Sequence, residues 1–115
     1  MSKIILVVDD DANIRNLIIE VLNVIGCKST GARNGKQALE LLTNHTFDLI
    51  TLDISMPEMD GIQFLKELIK VAPSIRVILV TGISQFLKPH PQVKAVITKP
   101  FDIEQLLAVV NKYAG

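Results

Sequence analysis

Short β-branched apolar runs and stretches of helical spacing alternate along this chain from one end to the other. The runs fall at Ile4–Val8, Thr46–Leu52, Arg76–Val80 and Val93–Thr98, with a weaker one near Lys28–Ala32. Between them the apolar positions switch to a helical period. Leu17, Ile18, Val21, Leu22 and Ile25 line one face of a helix that stops at Gly26. Ala38, Leu39, Leu41 and Leu42 predict a second helix, started near Asn34-Gly35. A third, from about Gly61 to Val71, is expected to bury Ile62, Phe64, Leu65, Leu68 and Ile69 and to end before Pro73. The last begins at Asp102, a good N-cap, and carries Leu106, Leu107, Val109 and Val110 on to Tyr113.

Strands that alternate with helices predict right-handed βαβ crossovers and a parallel sheet covered on both faces. The near-continuous apolar strands IILVV and VILV suit that burial. One segment breaks the pattern. In ISQFLKPHPQ only Ile83 to Lys88 can be helical, because Pro89 and Pro91 remove amide donors and push their predecessors toward extended geometry. One or two helical turns and then a loop are expected, with Phe86 and Leu87 packing down on the sheet.

Composition narrows the class. The chain has 115 residues, enough for one core, with no linker, repeat or low-complexity tract, so residues 1–115 are expected to form a single domain. Hydrophobic residues make up 49% and aromatics only 4%, so Ile, Leu, Val and Ala must fill the interior. Twelve basic residues balance 12 acidic ones, which argues against nucleic-acid binding, since phosphate neutralisation needs a basic surplus. Cys27 has no disulfide partner and reads as a small buried hydrophobe in a reducing, cytoplasmic setting. No apolar run reaches the roughly 18 residues of a membrane span, so no membrane is expected as a partner.

The candidate chemistry sits at the strand ends. In LITLDISMPEMDG a buried-looking strand carries Asp53 at its tip, with a stiff turn behind it. All strands of a parallel sheet end on one edge, where ligands of open α/β folds bind. The first strand ends on Asp9-Asp10-Asp11, the third on Asp53, the fourth on Thr81-Gly82 and the fifth on Thr98-Lys99-Pro100. Carboxylates so gathered repel one another unless a cation or a raised pKa relieves them. Magnesium takes oxygen ligands and suits Asp9, Asp10 and Asp53, with a backbone carbonyl near Ser55 as a further ligand. Lys99 and Thr81 then offer a point charge and a rotatable donor to the other oxygens of a phosphoryl group. Asp53 is thereby placed as a nucleophile that forms an acyl phosphate. Singly, each residue has a plainer reading: Asp11 is assigned a capping role, a strand-end Asp is often a turn former, and Lys99 and Thr81 are ordinary surface and strand residues. Their coincidence on one edge is what points to a site.

VVDDD, LDISMPEMDG, VTG and TKPF, in this order, resemble the receiver domains of bacterial two-component response regulators over essentially the whole chain. The resemblance implies a five-stranded doubly wound sheet of order 2-1-3-4-5 in one receiver domain. It implies phosphoryl transfer from a sensor histidine kinase or a histidine phosphotransfer protein to Asp53. By match, Asp10 binds Mg²⁺ directly, Asp9 mainly through water, and the Ser55 carbonyl completes the protein ligands. Thr81 is the switch hydroxyl, Lys99 pairs with the phosphoryl group, and the Lys99-Pro100 bond is expected to be cis. The domain modifies itself rather than turning over a substrate, and its output is a changed surface for an unknown downstream partner.

Two departures stand out. Val96 occupies the place where the family usually carries an aromatic ring, and the short interval from Thr81 to Lys99 shortens the fourth helix. A degenerate receiver that works as an interaction module without phosphorylation is the alternative these departures support. A haloacid-dehalogenase-type phosphohydrolase needs Thr or Val where this chain has Asn13, and a flavodoxin-like FMN carrier needs phosphate donors where Asp9, Asp10 and Asp11 stand. Ile14, with Asn13, Leu17 and Phe101, is either part of a kinase-docking surface or simply core. In the first case Ile14→Arg slows transfer without unfolding the chain. His45 and His90 lie outside the acidic group and read as solvated.

Overall fold

A computed structural model describes residues 3–54, 61–82 and 90–114. In chain order the elements are β1 (Ile4–Val8), α1 (Ala12–Val24), β2 (Lys28–Ala32), α2 (Gly35–Asn44), β3 (Leu49–Leu52), α3 (Gly61–Val71), β4 (Arg76–Thr81), β5 (Val93–Thr98) and α4 (Ile103–Ala114). The five strands form one parallel sheet in the order β2-β1-β3-β4-β5. The parallel sheet expected from the alternation, and the doubly wound 2-1-3-4-5 order that the resemblance implied, are therefore present. The expected turns over Ile83–Lys88, the packing of Phe86 and Leu87, and the Ser55 carbonyl fall outside the described residues.

Alternation along the strands divides the core into two layers. On one face Leu6, Val8, Ile50, Leu52, Val77 and Leu79 pack beneath Phe64, Leu65 and Leu68 of α3 and Ala38 of α2. On the other, Ile5, Val7, Leu49, Ile78, Val80 and Ile97 meet Ile18 and Leu22 of α1 and Leu106 and Val110 of α4. Successive side chains of a strand point to opposite faces, so each apolar strand feeds both layers at once.

Local signals set the helix ends. The Asp11 side chain accepts from the amides of Asn13 and Ile14 and starts α1, the capping role expected of it. Asn34 and Asp102 do the same for α2 and α4, accepting from Gln37 and Glu104. At the far end of α1, Gly26 adopts φ 84°, and the amides of Gly26 and Cys27 donate back to Asn23 and Leu22. That pair of bonds is a Schellman closure, and it turns the chain directly into β2.

Three expectations need correction. The run at Thr46–Leu52 becomes a strand only from Leu49, because the Asp48 carboxylate and amide bind the amide and carbonyl of Ile4 and close the turn first. Ile62 and Ile69 of α3 are about half exposed rather than buried. They lie about a quarter-turn round the helix from the Phe64, Leu65 and Leu68 stripe that meets the sheet. Leu17 likewise lies outside the buried stripe of α1, which centres on Ile18 and Leu22.

Candidate functional site

The carboxyl ends of β1, β3, β4 and β5 carry the predicted residues to one edge. Asp9 continues β1: its amide donates to Ala32 of β2, and its side chain is almost completely buried. Asp53 continues β3, its amide donating to Val8, and it too is buried. Lys99 follows β5, its amide bonded to the carbonyl of Thr81, the buried last residue of β4. The Lys99-Pro100 bond is cis, as expected.

The Lys99 ammonium bridges the two buried acids, with Nζ 2.8 Å from Asp9 Oδ2 and 3.1 Å from Asp53 Oδ2. Asp10 is exposed, yet oxygens of Asp9, Asp10 and Asp53 all lie within 4.8 Å of one another. The set brings together oxygen donors only. It carries more negative charge than one ammonium offsets, which fits a hard divalent cation better than a thiolate- or imidazole-seeking metal. Asp9, Asp10, Asp53, Thr81 and Lys99 thus share one edge. Ser55, the remaining predicted ligand, is outside the described residues.

Electrostatics inside the group are uneven. Burial pushes the Asp9 carboxyl above its ordinary value, against the pull of the Lys99 ammonium and the Asp11 amide, and the Asp53 charge adds to the rise. Burial alone would lower Lys99, but hydrogen bonds to Asp9 and Asp53, reinforced by their charges, hold it above its ordinary value. The two partners respond unequally to one contact because Lys99 faces two acids, whereas Asp9 shares that ammonium with Asp53 and is the more deeply buried.

The backbone under Asp53 is held from below. The Gly61 amide donates to the Ile54 carbonyl at 2.7 Å, and a Cβ on Gly61 would stand 2.5 Å from Ile54 Cα and 3.0 Å from the Asp53 carbonyl oxygen. Gly61 is needed here for close approach. The loop between Ile54 and Gly61, with Pro57, lies outside the described residues.

Two residues that sequence reading passed over also matter. Arg15 donates from Nη1 to the Asp9 carbonyl at 2.8 Å. Gln92 donates from its side chain to the carbonyls of Ala72 and Ile75, tying the start of β5 to the turn between α3 and β4. The available signal for Arg15 was its place one turn into a helix capped beside the acids. For Gln92 there was none, since its partners are 17 and 20 positions away. Val96 is exposed on β5, Ile14 and Phe101 are partly buried against the α1 and α4 layer, and Asn13 is exposed. His45 is exposed and His90 partly so, neither in the acidic group.

A five-stranded parallel sheet of order 2-1-3-4-5, with acids and a lysine gathered at its carboxyl edge, defines a doubly wound α/β domain of the CheY-like kind. Residues 5–111 match the family model for the response regulator receiver domain, and the chain belongs to that family. Sporulation initiation phosphotransferase F of Bacillus subtilis is 38% identical over 117 residues, spanning 98% of this chain and 94% of that protein. Chemotaxis protein CheY of the same bacterium is also 38% identical, spanning 97% of this chain and 98% of its own. Among solved structures, response regulator TrrA of Thermotoga maritima, in complex with Mg²⁺-BeF, superposes with a TM-score of 0.87 at 34% identity, covering 96% of this chain and 98% of that one. Among the described residues no helix is long and apolar enough to cross a membrane.

Proposed function

We propose that residues 1–115 act as one receiver domain that takes a phosphoryl group onto Asp53 from the phosphohistidine of a sensor histidine kinase or a histidine phosphotransfer protein. In that step the P–N bond of the phosphohistidine breaks, its electron pair returns to the imidazole, and a P–O bond forms to a carboxylate oxygen of Asp53. The observation that carries the reading is the Lys99 ammonium 2.8 Å and 3.1 Å from the carboxylates of Asp9 and Asp53, within a group of three acids. Lys99 neutralises charge as it builds on the transferring oxygens. Thr81 offers a hydroxyl to one of them. Burial of Asp53 restricts the access of water to the acyl phosphate, and attack by a water that does reach phosphorus releases inorganic phosphate and restores the carboxylate. Asp10 directly, Asp9 mainly through water, Asp53 and the Ser55 carbonyl would hold Mg²⁺. Bound there, the ion supplies positive charge against the phosphoryl oxygens. A relative solved with Mg²⁺-BeF supports that choice of metal. The output is an altered surface, or relay of the phosphoryl group, directed at a protein partner in the cytoplasm rather than at nucleic acid or membrane.

The test is incubation with acetyl phosphate and Mg²⁺ followed by intact-mass measurement. One added phosphoryl group is expected, absent in Asp53→Asn and in chelator. Phosphorylation that survives Asp53→Asn would overturn the assignment of the acceptor. An unmodified parent would leave the phosphorylation-independent interaction module, the reading that exposed, ringless Val96 favours.

A further inference from the structure

Asp9 is gripped at every polar atom. Its amide donates to Ala32, its two carboxylate oxygens accept from the Asp11 amide and Lys99, and its carbonyl accepts from Arg15. The last contact is the unusual one. The N–H and C=O of a strand residue point toward the same neighbour, so the Asp9 carbonyl faces the β2 side, where the strand ends at Ala32. Among the described residues no backbone amide donates to it beyond that end, and without Arg15 the carbonyl would lack a donor at a buried position. The guanidinium of Arg15 takes the vacant place.

We propose that Arg15 is a positioning residue for the divalent-cation site, acting through the peptide that joins Asp9 to Asp10; this rests on the reading of that site given above. A peptide unit is planar, so holding the Asp9 oxygen also fixes the Asp10 nitrogen and the direction in which the Asp10 chain departs. One hydrogen bond therefore sets the relative aim of both acids. Arg15 reaches the carbonyl by laying its stem across β2, where a Cβ on Gly31 would stand 3.0 Å from Arg15 Cδ and 3.3 Å from Cγ. The glycine leaves the track along which the arginine runs. Because the donor is cationic, the bond is of the stronger, charge-assisted kind. The guanidinium also adds positive charge behind the acid pair without taking the carboxylate oxygens that Asp11 and Lys99 already hold.

The experiment compares the full chain with Arg15→Met, Arg15→Lys and Gly31→Ala. Mg²⁺ affinity is measured by calorimetry, and amide exchange and chemical shift at Asp10 are followed by NMR in chelator. Arg15→Met is expected to weaken Mg²⁺ binding about tenfold, the usual scale for removing a group that orients a metal ligand. It should also speed Asp10 amide exchange in the metal-free protein. Arg15→Lys, which keeps one donor, should recover part of both effects. Gly31→Ala, which crowds the stem but leaves the charge, should weaken Mg²⁺ binding in the same direction, and it carries the test if Arg15→Met fails to fold. Affinity within twofold of the parent in Arg15→Met, or in Gly31→Ala when that variant carries the test, overturns the proposal. If the parent itself binds no Mg²⁺, the functional reading has failed instead. The Arg15 grip then stands or falls on the metal-free Asp10 exchange alone.

Discussion

Replacing Lys99 with methionine keeps the unbranched stem of the side chain out to Cε and removes the ammonium between two buried acids. At effective dielectric about 20, contacts of 2.8 Å and 3.1 Å correspond to roughly 5–6 kcal/mol of gross attraction each. Most of that is offset by the desolvation of all three groups, and only the remainder counts toward stability. Breaking a fully buried pair costs about 3–5 kcal/mol; the Lys99 side chain is 22% exposed, which places the loss nearer about 2–3 kcal/mol. For 115 residues the entropy of unfolding is about 0.24 kcal/mol/K, so the melting temperature should fall by about 8–12 °C.

The assay is thermal unfolding in chelator across pH, on the parent, Lys99→Met, Asp9→Asn and the double variant. Folded Asp9 holds its proton more tightly than its ordinary value of 3.8 implies. Its contribution is therefore greatest below that value and is lost as pH rises through the raised folded value. Deleting Lys99 removes the contact that pulls Asp9 down, so the decline should steepen and reach higher pH; Asp9→Asn should abolish it. Lys99 is also raised, so its own contribution is present below 10.5 and disappears as alkaline pH passes its folded value. In the double variant most of the Lys99→Met loss should be recovered. A drop under about 3 °C in Lys99→Met, or a larger one that Asp9→Asn leaves untouched, would refute the picture of one ammonium restraining crowded acids.

Two further substitutions test the frame around the site. The Thr51 hydroxyl in β3 is buried without a hydrogen-bond partner among the described residues, so Thr51→Val should stabilise the fold by about 1 kcal/mol in urea unfolding; a loss of stability would mean that the hydroxyl has a partner such as a buried water. Gly61→Ala forces a methyl group against Ile54 Cα and should cost about 1–3 kcal/mol while slowing acetyl phosphate labelling of Asp53. Unchanged stability and labelling in that variant would show that the backbone has room the geometry denies.

The parallel sheet was legible because β1, β3 and β4 are buried on both faces and α1, α2 and α4 carry their own N-caps, so periodicity and local chemistry agreed. Asp11, Asn34, Gly26 and Asp102 announce their positions through short-range hydrogen bonds that any reader of the chain can anticipate. Asp9, Asp53, Thr81 and Lys99 were legible for a different reason: topology sends every strand end to one edge. Periodicity failed where orientation had to be known. Ile62 and Ile69 satisfy a helical pattern, yet the angle at which α3 meets the sheet leaves them on its flank. Thr46 and Phe47 have strand propensity, but Asp48 closes the turn at Ile4 before the ladder begins. Arg15 and Gln92 went unnoticed because each serves a backbone carbonyl, and no residue type in the sequence advertises which carbonyl lacks a donor.

The seating of α3 on the Asp53–Ile54 backbone has a mechanical consequence. With a 2.7 Å hydrogen bond from the Gly61 amide to the Ile54 carbonyl and no clearance for even one methyl group, strand tip and helix start are stacked without slack. A shift of the chain toward the first turn of α3 at this point therefore cannot be taken up by closer packing between Ile54 and Gly61.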